Sequence, residues 1–84
     1  MKDWWDKPVR VMLHGKGTRD VERLENAAEM LLDEWPDQNG PAYLHAKDAL
    51  TKALQDPASG SARAAARMAF VAAADEAGIL SDRT

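Results

Sequence analysis

From Val9 the chain alternates. Val9, Val11 and Leu13 fall on one side, with Arg10, Met12 and His14 on the other. A period of two marks a strand with one buried face. His14-Gly15-Lys16-Gly17 supplies a tight turn, and residues 18–21 return as a short antiparallel strand, giving a hairpin near 9–21. The alternative is that Thr18 or Asp20 caps a helix that starts at once. The period then becomes helical. Val21, Leu24, Ala28, Leu31, Leu32 and Trp35 form an apolar stripe at steps of three and four, predicting a helix over about 22–35. Glu22, Glu25, Glu29 and Asp33 make an acidic ladder on its other side. Met30 lies off the stripe.

The stretch Asp33-Glu34-Trp35-Pro36-Asp37-Gln38-Asn39-Gly40-Pro41 organises the middle of the chain. Pro36 lacks an N–H and clashes with a preceding helical turn, so the first helix stops near Trp35. Trp35 is expected to anchor the core at this corner. Asn39-Gly40 suits a reversal, and Pro41 suits the first position of a new helix. Asp37 or Asn39 is a candidate acceptor for the amides exposed there. The second helix is predicted over about 41–55, burying Tyr43, Ala46, Leu50, Ala53 and Leu54, with Leu44 off that face. Asp56-Pro57 ends it. Ser59 or Ser61 is the candidate cap of a third helix over about 61–77. That helix carries an alanine stripe, Ala62, Ala65, Ala66, Ala69 and Ala73, flanked by Phe70 and Ala77, with Met68 and Val71 outside it. Gly78 is a left-handed stop, and residues 79–81 could add a short strand beside 9–13.

These elements predict an α+β fold: a small antiparallel sheet packed against three helices. One domain fills residues 1–84, with 1–7 a flexible N-terminal segment and 82–84 a flexible tail. A chain of 84 residues has a small core, so a second subunit would add useful burial. The net charge of −3 argues against a nonspecific nucleic-acid binder, whose affinity comes from neutralising phosphates. With only Arg63 and Arg67 on the third helix, sequence-specific DNA binding is also disfavoured. The absence of cysteine excludes disulfides, thiolate metal sites and thiol catalysis. No apolar run approaches the roughly 20 residues that span a bilayer, and the start of the chain lacks a signal-peptide core. The expected location is the cytoplasm.

Several features stand together at characteristic spacings. They are Pro8-Val9 before the alternating strand, Ala27 through Leu31-Leu32 to Trp35-Pro36, and Gly40-Pro41 with Tyr43, Ala46, Ala49 and Ala53-Leu54. Ala66-Arg67, Ala69-Phe70 and Ala73-Ala74-Asp75-Glu76-Ala77-Gly78-Ile79 complete the set. In these the chain resembles the bacterial family known as domain of unknown function 982, abundant in rhizobia and their relatives. The likeness runs from Pro8 to Leu80; the Trp-Pro corner and the Glu-Ala-Gly-Ile ending are its most specific parts. The position after Ala49, often a cysteine in such sequences, is Leu50 here. The resemblance implies a compact single domain of similar layout and no particular activity.

No constellation names a reaction. His14 and His45 lie on different elements without the carboxylate spacing of a metal-binding helix, so no metal or cofactor is expected. Gly15, Lys16, Gly17 and Arg19 form a cationic tip, a candidate anion site, but the first glycine of a phosphate loop is missing. Glu76 stands near the negative end of its helix, where a carboxylate is electrostatically unwelcome. It is a candidate acid in a pocket near Trp35, against the blander reading that it pairs with an arginine or reaches solvent. Met30, Leu44, Met68 and Val71 are the candidate partner-binding residues. Two readings follow. One is a noncatalytic protein-interaction module, with self-association as one form. The other is a small-ligand binder or small enzyme using the Glu76–Trp35 region.

Overall fold

A computed structural model describes residues 4–13, 17–35, 39–56 and 58–81. The order is β1 (Trp4–Leu13), β2 (Gly17–Arg23), α1 (Leu24–Asp33), α2 (Pro41–Gln55) and α3 (Gly60–Glu76). The fold is α+β, with a two-stranded antiparallel hairpin packed against three helices.

The alternation read from the sequence sets the register. Val9 faces Val21, Val11 faces Arg19 and Leu13 faces Gly17, while Arg10 faces Asp20 and Met12 faces Thr18. Val9, Val11, Leu13 and Val21 are buried, whereas Arg10 and Met12 point outward. The ladder is irregular between Trp4↔Arg23 and Val9↔Val21, where β1 advances five positions (9 − 4) and β2 only two (23 − 21). Pro8 lies in this interval and has no N–H to give to a ladder. Gly17 opens β2 at φ 79°, a backbone conformation that glycine adopts without strain.

Past α3 the chain returns to the sheet. Gly78 is left-handed, at φ 74°. Its N–H donates to the Asp75 carbonyl at 3.1 Å, and the Ile79 N–H donates to the Ala74 carbonyl at 3.0 Å. This pair of bonds is the Schellman ending, and it satisfies two carbonyls the helix would leave open. The exit aims residues 79–81 along β1. The Met12 N–H donates to the Ile79 carbonyl, the Ser81 N–H to the Arg10 carbonyl, and Leu80 bridges Val11. The expected short strand at 79–81 is therefore present as a single bridge.

The core draws on every element: Trp5, Val9 and Val11 from β1, Val21 from β2, Leu24 and Leu31 from α1, Trp35, Tyr43 and Leu50 around α2, Phe70 from α3, and Ile79. Phe70 sits between two indoles, with ring centroids 5.5 Å from Trp5 and 5.3 Å from Trp35. Neither indole N–H has an acceptor among the described residues. Buried alanines on both helices (Ala46 and Ala53, Ala66, Ala69, Ala73 and Ala74) leave room for α2 and α3 to make the closest helix pair. Ser59 caps α3, its hydroxyl accepting from the Ala62 N–H at 3.2 Å.

Four expectations need correction. The first helix is shorter than 22–35, because Val21 pairs with Val9 and Arg23 with Trp4, holding residues 21–23 in the sheet. Its buried face is Leu24, Ala27, Met30 and Leu31, so the stripe is rotated from the expected one. Leu32 is exposed and Met30 buried. On α2 and α3, Leu54 and Ala65 face outward, and Ala74 is buried in their place. Finally, β1 begins at Trp4, with Trp5 buried, so the hairpin starts earlier than the expected position near residue 9.

Candidate functional site

The start of α2 carries a carboxylate from another helix. The N-cap residue is Gly40, which has no side chain to offer, and Pro41 follows at the first helical position. Proline brings no N–H, so the amides needing acceptors are those of Ala42 and Tyr43. Both donate to Glu76, to Oε1 at 3.2 Å and Oε2 at 3.3 Å respectively. The next N–H, of Leu44, already reaches the Gly40 carbonyl at 3.1 Å. The helix start is thus satisfied from across the molecule. The Schellman turn that follows Glu76 fixes where α3 ends, and so where this carboxylate sits. A Cβ on Gly40 would collide with that carboxylate. The next residue inward, Tyr43, ties the other end of the corner, its hydroxyl donating to the Leu31 carbonyl in the last turn of α1 at 3.0 Å. Its ring lies 6.5 Å from that of Trp35.

Among the described residues, recesses flank α1 on two sides. The larger, about 470 Å³, runs between α1 and β2 and is lined by Arg19, Asp20, Val21, Asn26, Glu29, Met30, Asp33 and Glu34. Asp20 is paired across the strands with Arg10 at 2.9 Å. That hydrogen bond, with the charge attraction of Arg10, holds its carboxyl below the usual carboxylate range against the opposing effect of desolvation. Glu34 is paired with Arg19 at 3.6 Å. The smaller recess, about 70 Å³, lies between α1 and α2 and is mostly apolar, with Ala28, Leu31, Leu32 and Leu50 beside Lys47 and Thr51.

The candidate partner-binding residues do not share one surface. Met30 is buried and forms part of the floor of the larger recess. Leu44 is exposed and shares an edge of α2 with Lys47 and Thr51, at spacings of three and seven. That edge borders the smaller recess. Met68 stands out on the side of α3 opposite its buried face, and Val71 is half-buried against the core. Leu32 was assigned to the core by pattern and instead joins the exposed apolar residues.

Of the candidate anion site, Gly15 and Lys16 lie outside the described residues. Gly17 opens β2, and Arg19 is engaged with Glu34. His14 is outside the described residues and His45 is exposed on α2. Among the described residues no group of three potential ligands could hold a metal ion, and no helix is long and apolar enough to cross a membrane. The acidic ladder lies on α1 only as Glu25, Glu29 and Asp33, because Glu22 belongs to β2. Asp37 lies outside the described residues, and the Ala42 and Tyr43 amides donate to Glu76. Along the chain Glu76 stands out only for its odd place on its own helix; its service to α2 depends on residues 42 and 76 being adjacent in space.

The chain belongs to the family described as "Protein of unknown function (DUF982)", whose sequence model matches residues 7–81. It is similar to the Agrobacterium tumefaciens protein Atu1219, whose NMR structure superposes with a TM-score of 0.75 at 30% sequence identity. That match covers 99% of this chain and 81% of the other. No curated protein matches the chain.

Proposed function

We propose that this member of the DUF982 family is a noncatalytic protein-interaction module acting in the cytoplasm. The observation that carries the reading is the outward placement of large apolar side chains. Leu32, Leu44 and Met68 are 57%, 55% and 71% exposed. Leu32 lines the apolar recess between α1 and α2, and Leu44 stands on the neighbouring edge of α2. A shallow apolar recess with aliphatic rims is what a partner's anchoring side chain uses. Met68 adds a flexible, adaptable apolar group on α3. A domain this small gains proportionally from each further area it buries.

The alternative, a small-ligand binder or small enzyme near Glu76 and Trp35, has less support. Both oxygens of Glu76 accept from backbone amides of α2, and the Trp35 ring is packed against Phe70 and Tyr43. An acid in that position serves the fold.

The test is photocrosslinking in cells of the source organism, with a benzophenone amino acid placed at Leu44, at Met68, or at the exposed polar control His45. A recurring protein adduct from Leu44 or Met68, to a second copy or to another chain, is the expected result. Adducts no more abundant than those from His45 would overturn the surface on which the proposal rests.

A further inference from the structure

Resting on that reading of the chain as an interaction module, we infer that the groove between β2 and α1 takes an extended basic segment of a partner protein. The segment would add as the second neighbour of β2, along the edge that pairs with no strand among the described residues.

The backbone direction can be worked out from the bonds on the other side of the sheet. Arg10 and Met12 turn their backbone groups toward residues 79–81. Along a strand these directions alternate, so Val9, Val11 and Leu13 turn theirs toward β2. Their partners Val21, Arg19 and Gly17 are therefore engaged with β1. It follows that Thr18, Asp20 and Glu22 direct their N–H and C=O groups away from β1. Among the described residues, β2 pairs with no other strand. An edge of this kind is a template for an added strand.

The groove lies along this edge. Three consecutive β2 residues, Arg19, Asp20 and Val21, line it, so it follows the strand and not one face of it. Helix α1 doubles back beside β2 as the opposite wall. At about 470 Å³ its volume falls within the roughly 300–1,000 Å³ of ligand clefts. Val21 and Met30 contribute an apolar floor.

Charge complementarity identifies the occupant. Glu29, Asp33 and Glu34 line the groove from α1 against the one guanidinium of Arg19, while Asp20 lines it from β2 with its carboxylate bonded to Arg10 on the outer face of the sheet. Glu34 is paired with Arg19, but Glu29 and Asp33, one helical turn apart on the α1 wall, form no ion pair among the described residues. An added strand with lysine or arginine at alternate positions would present them to this wall while its backbone bonds the edge. A second copy is the poorer fit. Its own groove carries the same acidic excess, and like charges would meet.

The probe is an acetylated, amidated peptide of alternating lysine and valine, titrated into ¹⁵N-labelled protein at low salt. Amide shifts concentrated at Thr18, Asp20 and Glu22 are expected. Methylating the backbone nitrogens on the peptide's bonding edge keeps its charge and removes its donors, and affinity should fall at least about tenfold. Glu29→Lys/Asp33→Lys should weaken binding by about tenfold or more, with helicity preserved because both positions are exposed. Equal binding by the methylated peptide would mean charge attraction alone and overturn strand addition. Shifts elsewhere would overturn the site. Concentration-dependent shifts at Thr18, Asp20 and Glu22 without peptide would replace the basic segment by a second copy. If the peptide fails while crosslinks from Leu44 or Met68 persist, this groove falls and the interaction-module reading stands. If the crosslinks fail while the peptide binds as expected, the Leu44 and Met68 surface falls and the groove alone carries the interaction reading.

Discussion

Gly40→Ala should destabilise the protein when Glu76 is present and stabilise it when Glu76 is gone. The sign reversal follows from geometry. Gly40 has φ −69° and ψ 150°, extended values that alanine adopts freely and that a residue before proline prefers. On backbone grounds alone, replacing glycine restricts the unfolded chain and should stabilise by about 0.4–1 kcal/mol. The new Cβ, however, occupies the place of the Glu76 carboxylate. The carboxylate is the end of a flexible side chain, so moving it aside is sterically cheap. What is lost is its pair of bonds to the Ala42 and Tyr43 amides. A helix N-cap is worth about 0.5–2 kcal/mol, and a negative charge at a helix start contributes within that range at exposed sites. Because Glu76 satisfies two amides and brings its charge to the helix start, we place the cap at about 1–2 kcal/mol.

Four proteins measure this: wild type, Gly40→Ala, Glu76→Ala and the double variant, each unfolded in urea. Glu76→Ala should cost about 1–2 kcal/mol. Gly40→Ala alone should cost less, about 0.5–1 kcal/mol, since the entropy gain offsets part of the lost cap. The double variant should be more stable than Glu76→Ala. The coupling between the sites should be about 1–2 kcal/mol, well above the roughly 0.3–0.5 kcal/mol scatter of independent positions. For a domain of this size each kcal/mol also moves the thermal midpoint by roughly 4–8 °C. Additive effects would refute the reasoning, because they would mean that Gly40 and Glu76 do not share the space assigned to them.

Other consequences are simpler. Trp35→Ala should destabilise by about 3–5 kcal/mol, since its buried ring meets both Phe70 and Tyr43; near wild-type stability in denaturant would place the ring outside the core. Met30→Ala should cost about 2–5 kcal/mol while Leu32→Ala stays within about 0.5 kcal/mol, and the reverse order would restore the sequence-based phase of α1. Asp20 should titrate below the usual carboxylate range by carboxyl NMR, and Arg10→Gln should move it back up. Since the folded-state value is the lower one, the pair's stabilisation is present above the unfolded-state pKa and is lost as pH falls through the folded-state value. A rise in stability on acidification through that window would contradict the pairing.

The strand alternation, the limits of α2, the Ser59 cap and the Gly78 stop were legible because each depends on local chemistry. The phase of α1 was not. Two stripes compete there, one through Ala28 and Leu32 and one through Ala27 and Met30. The pattern holds leucines on both, so periodicity alone cannot choose. The choice is made by β2. Its strand runs on to Arg23, which delays the helix to Leu24 and turns Met30 inward, where it is buried beside the β2 groove. Leu32 is left facing the seam with α2. The same tertiary decision removes Met30 from any outer surface and creates the apolar rim on which the interaction reading rests.

Glu76 marks the other limit. Read on α3, it is a carboxylate at the wrong end of a helix, and that anomaly was visible in the chain. Read in three dimensions, it sits at the right end of α2. The two most specific pieces of sequence, the corner from Trp35 through Gly40-Pro41 and the ending Glu76-Ala77-Gly78-Ile79, are halves of one contact. The corner presents two amides and a position without a Cβ. The ending presents a carboxylate, then a left-handed turn that stops α3 and returns the chain to β1. Each half looks incomplete along the chain: a helix start without a capping side chain, and a helix end with an unfavourable charge. Apposing them satisfies both, so the contact fixes how α2 and α3 pair end to end and at the same time delivers residues 79–81 to the sheet.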